Sequence, residues 1–245
     1  MKVTLITACF NNKNTIGSTI RSVQSQTYAD IEHIIVDGSS TDGTLELLYQ
    51  LKNETTQVIT EPDKGMYDAI NKGLNLATGD IIGLLHSDDE LYANNTIEQI
   101  VNHFAQSQAD WVYGNGIYVD STNTNLIIRN WISKPFKRWK LWFGWVPLHT
   151  TMYFNKAAVK LLGLYDLRYR IASDYEYTLR ALTSSKLKVH YTGFYHVRMK
   201  MGGTSTSLKN QLPKSKEDFI IMRLYKLPAS FTLTFKILRK IPQFF

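Results

Sequence analysis

Short, nearly unbroken apolar runs recur along the first half of the chain: VTLITACF at 3–10, IEHIIVD at 31–37, TQVITE at 56–61 and DIIGLLH at 80–86, followed by DWVYGNG at 110–116. Runs of this length, rich in Val, Ile and Thr and bounded by Asn, Asp, Gly and Pro, predict strands. Between them lie stretches compatible with helices over Asn14–Gln26, from Thr41 or Asp42 to Lys52, over Met66–Ala77 and over Asn95–Gln106. Strands alternating with helices at this spacing imply an α/β fold of βαβ units, with a mostly parallel, Rossmann-like central sheet flanked by helices. After residue 115 the pattern loosens. Hairpin-like pieces at 116–130 lead into an aromatic-basic segment at 131–146, a strand at 151–154, and helices near 155–162 and 173–184.

That order also places the chemistry. In open α/β sheets, ligands sit at the carboxyl ends of the strands, near a switch in strand order. Four polar clusters each follow a strand end: Asn11–Asn12, Asp37–Thr44, Asp63–Lys64 and His86–Asp89. All four are expected to face one crevice. Asp37 precedes the helix cap offered by Thr41 or Asp42, and can accept hydrogen bonds from a base or ribose. In LLHSDDEL, His86, Ser87, Asp88 and Asp89 suit either a helix cap or a hard divalent cation, which takes one or two carboxylates plus phosphate and water oxygens. Ser173 and Asp174 read as an N-cap whose box Glu176 completes, and Asp174 equally as a general base at a helix start.

His149 and His196 stand alone in the sequence, the ordinary setting of structural histidines. Gly202, Gly203 and Thr204, in MGGTSTS, form either a flexible loop or a set of backbone N–H donors for phosphate. No G-x-G-x-x-G follows the first strand and no P-loop motif occurs, which argues against a dinucleotide fold or a P-loop enzyme.

The 245 residues suffice for one domain with an extension, and 44% apolar with 20% charged content is ordinary for a globular chain. We divide the sequence into residues 1–212, with halves at 1–115 and 116–212, and a basic amphipathic extension at 213–245. One cysteine, Cys9, excludes a disulfide scaffold or a cysteine-rich zinc module and fits a reducing compartment. The apolar run after Lys2 is too short for a signal peptide.

The net charge of +7 calls for an anionic partner, and its sign is unevenly spread, acidic in the first ninety residues and basic in the last 120. Four of the five tryptophans fall within Trp131–Trp145, interleaved with Lys134, Lys137, Arg138 and Lys140, which suits a membrane interface or nucleic-acid stacking. Near the C-terminus, Phe231, Phe235 and Leu238 share a helical face, with Lys236, Arg239 and Lys240 nearby. Such a helix suits an anionic lipid surface, its own domain or a second copy in a homodimer. The uncharged stretch Leu227–Phe235 is too short to span a bilayer.

Taken together, ITACFNN, IIVDGSSTDGT, EPDKGMYDAINKGLNLATGD and LLHSDDEL resemble, in order and spacing, the motifs of a family 2 glycosyltransferase with the GT-A fold. LHTTMYF, ASDYEYTLR and GGTST are similar to that family's acceptor-side elements, and the whole is similar to small enzymes of bacterial capsule, O-antigen and exopolysaccharide assembly. The resemblance implies that Asp37 contacts the nucleotide base near Ala8 and Phe10, that Asp63 and Lys64 close the pocket, and that Ser87 lies on the nucleotide. It implies Mg²⁺ or Mn²⁺ on the diphosphate, held around Asp88 with Asp89 and His86, and Asp174 as catalytic base. His149, Gly202, Gly203 and Thr204 would meet acceptor or phosphate.

The implied reaction is transfer, with inversion, from a nucleotide-diphosphate sugar, UDP by family frequency, to a glycan or polyprenyl-diphosphate-linked acceptor at the cytoplasmic face of the membrane. Three positions depart from the pattern: Ala8-Cys9-Phe10-Asn11 replaces Pro-Thr-Tyr-Asn, His86 replaces a carboxylate, and Ser173 replaces the glutamate before Asp174. A nucleotidyltransferase is disfavoured by the lack of a Gly-rich basic loop. A nonenzymatic nucleic-acid module leaves the acidic crevice unexplained, so no nucleic-acid partner is expected.

Overall fold

In the computed structural model, which describes residues 1–201 and 208–239 (side chains of 208–210 excepted), the first four strands form a parallel set. They are β1 (Val3–Cys9), β2 (Ile31–Asp37), β3 (Thr56–Thr60) and β4 (Ile81–Leu84), in the order β3-β2-β1-β4. All of β1 and nearly all of β2 are buried, as expected of parallel strands covered on both faces, whereas β3 at the edge is partly exposed. The connecting helices are α1 (Ile16–Gln24), α2 (Thr44–Leu51) and α3 (Met66–Leu76). Strand alternation sorts the core. Cys9 and Ile35 face one side with Ile16, Ile20 and Leu48, while Ile6 and Ile34 face the other with Ile70 of α3. Each such fully buried aliphatic contributes about 1.5–3 kcal/mol.

Beyond β4 the sheet changes sense. β8 (Tyr153–Asn155) lies antiparallel beside β4, and β6 (Trp111–Val119) antiparallel beside β8. The far edge of β6 pairs in parallel with β9 (Val189–Lys200), which carries the two-residue β5 (Glu90–Leu91) on its outer side. β7 (Ile127–Trp131) takes the near edge of β6 from Gly116 to Val119, where β8 has already ended. Chain order reverses between β1 and β4, which sets the crevice at their carboxyl ends.

Helix α4 (Thr96–Ser107) connects β5 to β6; α5 (Lys156–Leu162) and α6 (Ser173–Thr183) follow β8, and α7 (Leu208–Leu224) and α8 (Ala229–Leu238) close the described chain. The boundary expected at 212/213 falls inside α7. The apolar residues of α8 are partly taken up within the domain: Phe231 and Phe235 pack on Phe143 of a 3-10 turn at Arg138–Phe143, with ring centroids 5.5 and 5.1 Å apart. Gly144 makes this fit possible, since its φ of +64° is left-handed and a Cβ there would lie 2.6 Å from Lys236. Among the described residues no helix is long and apolar enough to cross a membrane. Gly202, Gly203, Thr204 and Lys240 lie outside the described residues.

Several local expectations are corrected. Asp42 rather than Thr41 serves the start of α2, its Oδ1 accepting the Thr44 N–H at 2.9 Å. None of Ser87, Asp88 and Asp89 caps a helix, because β5 intervenes and α4 begins only at Thr96. The capping box of α6 does not form: the Ser173 hydroxyl is buried without a partner, and Glu176 instead pairs with Arg180 and accepts the Tyr225 hydroxyl at 2.6 Å.

His33 and His196 are fully buried in this framework. His196 Nδ1 donates to the Thr151 carbonyl at 2.8 Å, so its neutral Nε2 accepts from the Thr192 hydroxyl, also at 2.8 Å. Burial pulls the His33 pKa down to about 4 and that of His196 to about 3, against an ordinary 6.5. As pH falls, the unfolded chain therefore binds protons first. The stability these residues contribute by staying neutral is present above pH 6.5 and is lost as pH falls through about 4 for His33 and about 3 for His196, on the order of 3 and 5 kcal/mol. The urea midpoint is expected to drop steeply between pH 7 and pH 4, and a midpoint level across that range would contradict neutral burial of both rings.

Candidate active site

The loops after β1, β2 and β3 interlock at the carboxyl edge of the sheet. Asn11 receives the Thr41 N–H on its side chain at 2.9 Å and donates its own N–H to Ser40 Oγ at 2.8 Å. Lys13 donates its N–H to Asp42 Oδ2 at 3.1 Å. Asp37, wholly buried, accepts from the Ser40 N–H at 3.0 Å and from the Ser40 hydroxyl at 2.5 Å, so it holds the floor of this loop. Above it, Gly38 lies so close to Asp63 that an added Cβ would sit 2.5 Å from Asp63 Oδ2 and 3.3 Å from the Phe10 ring. Phe10 is 58% exposed. A flat apolar ring, a glycine and a carboxylate thus come together from three strand ends. Asp63 is fixed by the Gly65 N–H at 2.7 Å, Lys64 is exposed, and Ala8 is buried in the core below.

A second group forms between β4 and α6. His86 Nε2 lies 2.8 Å from His149 Nε2, and His149 Nδ1 lies 3.4 Å from Asp174 Oδ2. The other oxygen of Asp174 accepts from the Tyr67 hydroxyl at 3.0 Å. The carboxylate cannot donate, so the proton of His149 belongs on Nδ1. His149 Nε2 then accepts, His86 Nε2–H donates to it, and the lone pair of His86 Nδ1 is left for another partner. Burial keeps both rings neutral, drawing His86 down and His149 to about 4. For Asp174, burial opposes ionisation, but His149, Lys214, Lys236 and the Tyr175 N–H outweigh it and hold the carboxyl below its ordinary range. The result is an ionised, oriented carboxylate at the first turn of a helix.

The trio His86, Asp88 and Asp89 does not converge. Among the described residues no three His, Cys, Asp or Glu side chains are grouped to hold a metal. A tight turn, with the Asp89 N–H on the His86 carbonyl at 3.1 Å, carries the three residues. Asp89 is buried, and burial followed by the charge of Asp88 pushes its carboxyl well above the usual range. Asp88 is half-buried and accepts no hydrogen bond among the described residues, and Ser87 is buried between them. One free carboxylate with a neutral imidazole nearby fits an ion that keeps most of its ligands as phosphate and water oxygens, and does not fit an all-protein cage.

Two functional elements escaped the sequence reading. Tyr67 lies in a motif already singled out, but nothing there marks it as a partner of residue 174. Glu217, on α7, accepts the N–H groups of Arg170, Ile171 and Ala172 at 3.1, 3.0 and 2.9 Å and so holds the loop that leads into α6.

Comparison with known proteins follows this geometry. The family model for glycosyl transferase family 2 matches residues 4–159. A PGL/p-HBAD biosynthesis glycosyltransferase of Mycobacterium bovis is 29% identical over 191 residues, 76% of this chain and 72% of that protein. Residues 1–349 of S. aureus TarS, in complex with UDP-GlcNAc, superpose with a TM-score of 0.67 at 17% identity, over 92% of this chain and 65% of that one. A mannosyltransferase from Pyrobaculum calidifontis, in complex with GDP-Man and Mn²⁺, gives a TM-score of 0.66 at 15% identity, over 98% and 74%. Against the longer TarS chain this protein spans 39% of the length. The fold is therefore of the GT-A type.

Losing Glu217 is expected to loosen the loop before Asp174. In Glu217→Ala, amide hydrogen exchange at Arg170–Ala172 should accelerate roughly 10- to 100-fold, because bonds to a charged acceptor contribute about 1.5–3 kcal/mol. Unchanged exchange at those three amides would show that the carboxylate does not hold them.

Proposed function

The chain belongs to glycosyl transferase family 2, and we propose that it moves a sugar from a nucleotide-diphosphate donor, a UDP-sugar, to a hydroxyl of a glycan or lipid-linked glycan in bacterial surface polysaccharide synthesis. The observation that carries this reading is the line His86–His149–Asp174, a hydrogen bond followed by a 3.4 Å contact between imidazole and carboxylate, which ties an ionised carboxylate to the strand-end cluster. In this reading Phe10 stacks on the base, Asp63 and Lys64 close over it, and Asp37 holds the loop beneath Ala8 and Gly38. UDP-GlcNAc and GDP-Man in two neighbours of the same fold support a nucleotide-sugar donor.

Asp174 removes the proton of the acceptor hydroxyl. The acceptor oxygen bonds to the anomeric carbon as the bond to the diphosphate oxygen breaks on the opposite face, so the configuration inverts. Tyr67 and His149 hold the carboxylate in place, and Glu217 fixes the loop that delivers it. Asp88, with the lone pair of His86 Nδ1, would hold Mg²⁺ or Mn²⁺, which supplies positive charge to the diphosphate when bound; Mn²⁺ in one neighbour supports this assignment. Asp89, buried beneath the turn, acts through packing. A lipid-linked acceptor would place the reaction at the inner face of the cell membrane.

Asp174→Asn is expected to lower transfer by about 10²- to 10⁴-fold, the usual contribution of a general base, while leaving nucleotide-induced thermal stabilisation intact. Full activity in that variant would remove Asp174 from the role. Asp88→Asn should abolish the additional stabilisation that Mn²⁺ gives to bound UDP. Equal stabilisation of the wild-type chain with and without Mn²⁺ would contradict the metal assignment.

A further inference from the structure

Charge is divided sharply along the chain. Residues 121–245 carry 22 Lys and Arg against 5 Asp and Glu. Every one of those five acids already has a partner. Asp166 pairs with Arg168 at 2.6 Å and Asp218 with Lys236 at 2.9 Å. Glu176 pairs with Arg180, Glu217 holds three backbone N–H groups, and Asp174 sits against His149 and Tyr67. Among the described residues, Lys134, Lys137, Arg138, Arg223 and Lys226 form no ion pair. The first three flank or begin the 3-10 turn, and the last two end α7. Lys134, Lys137 and Arg239 are close enough to Lys140 to lower its pKa further after burial has done so. Their counter-charge has to come from outside the chain.

These cations surround exposed apolar surface. In a 3-10 turn, residues three apart lie on the same side, and Trp139 and Trp142 are 56% and 55% exposed while Leu141 faces the core. Trp142 forms one wall of an open groove of about 590 Å³ whose other walls are Arg223, Lys226, Leu227 and Pro228. Beside it, Phe231 remains 44% exposed despite its contact with Phe143, and Leu224 and Leu238 are exposed too. Indoles beside aliphatic residues, bordered by unpaired lysine and arginine, match the layered chemistry of a bilayer surface, where rings settle at headgroup level and cations meet anionic lipid. A nucleic acid would use the cations and the rings and leave the exposed leucines in water.

We propose that the face formed by Trp139, Trp142 and the junction of α7 and α8 is a docking surface for an anionic lipid bilayer, with phosphate headgroups against Arg223 and Lys226. The same helix, α7, carries Glu217 against the loop of Asp174, so the surface and the site share an element. The surface rests on its own observations, and transfer to a soluble acceptor is measured separately from it.

The test uses the full chain floated with phosphatidylcholine vesicles, alone or mixed with phosphatidylglycerol. Binding is expected only with the anionic lipid, weakening as salt is raised. Arg223→Gln with Lys226→Gln should reduce it roughly 30-fold, at about fivefold for each charge near the surface. Trp139→Ser with Trp142→Ser should reduce it as well, and both pairs should keep nucleotide-induced stabilisation and transfer to a soluble acceptor. No binding, equal binding to both vesicles, or binding unchanged in both paired variants would overturn the proposal. So would tighter capture of a single-stranded oligonucleotide than of anionic vesicles through these residues, or a self-association that the tryptophan changes abolish.

Discussion

The half-buried carboxylate of Asp174 is the constraint on which the rest depends. Partial burial favours its protonated form; here it stays ionised because distant parts of the chain supply donors and positive charge. Tyr67 comes from α3, His149 from the turn before β8, Lys214 from α7 and Lys236 from α8. Lys236 is itself drawn down to about 8 by burial, against the opposing pull of Asp218, and lies 3.3 Å from the centre of the Tyr175 ring. The C-terminal helices are thus part of the electrostatic environment of the site.

The division of charge gives the two halves different work. Residues 1–120 hold 16 acids and 6 Lys and Arg, and much of that acidity sits in strand-end loops where backbone N–H groups receive it, as at Asp37, Asp42 and Asp63. This loop lattice is held by carboxylates that accept backbone N–H groups, and in the proposed reaction a cation from solution would balance the diphosphate there. The second half has the opposite surplus, and its acids are all internal. An acceptor that carries phosphate, or a surface that displays it, meets unbalanced positive charge there.

Much of the fold was legible in the sequence, because parallel strands with both faces covered leave an unbroken apolar run. The expected strand at 31–37 coincides with β2, and α3 was placed within a residue at its C-terminal end. β9 was missed: its alternating tyrosine, histidine and basic residues, broken by Gly193, carry no such run, and its pairing with β6 is set by packing. β5 has only two residues and exists through β9. The site was legible as clusters but not as contacts. His86 and His149 are 63 positions apart and meet only because β4 and β8 become antiparallel neighbours. Likewise Ser173 and Glu176 have the local pattern of a cap that does not form, while a glutamate 45 residues beyond Ala172 holds the loop ahead of the helix.

In the proposed reaction Asp174 acts as a base in a single displacement at the anomeric carbon, which inverts the configuration. The most direct measurement is therefore the proton NMR spectrum of the product formed from an α-linked UDP-sugar, read at the anomeric proton before mutarotation. The account predicts a β-linked product with a large vicinal coupling. An α-linked product would mean retention of configuration and would contradict the role given to Asp174.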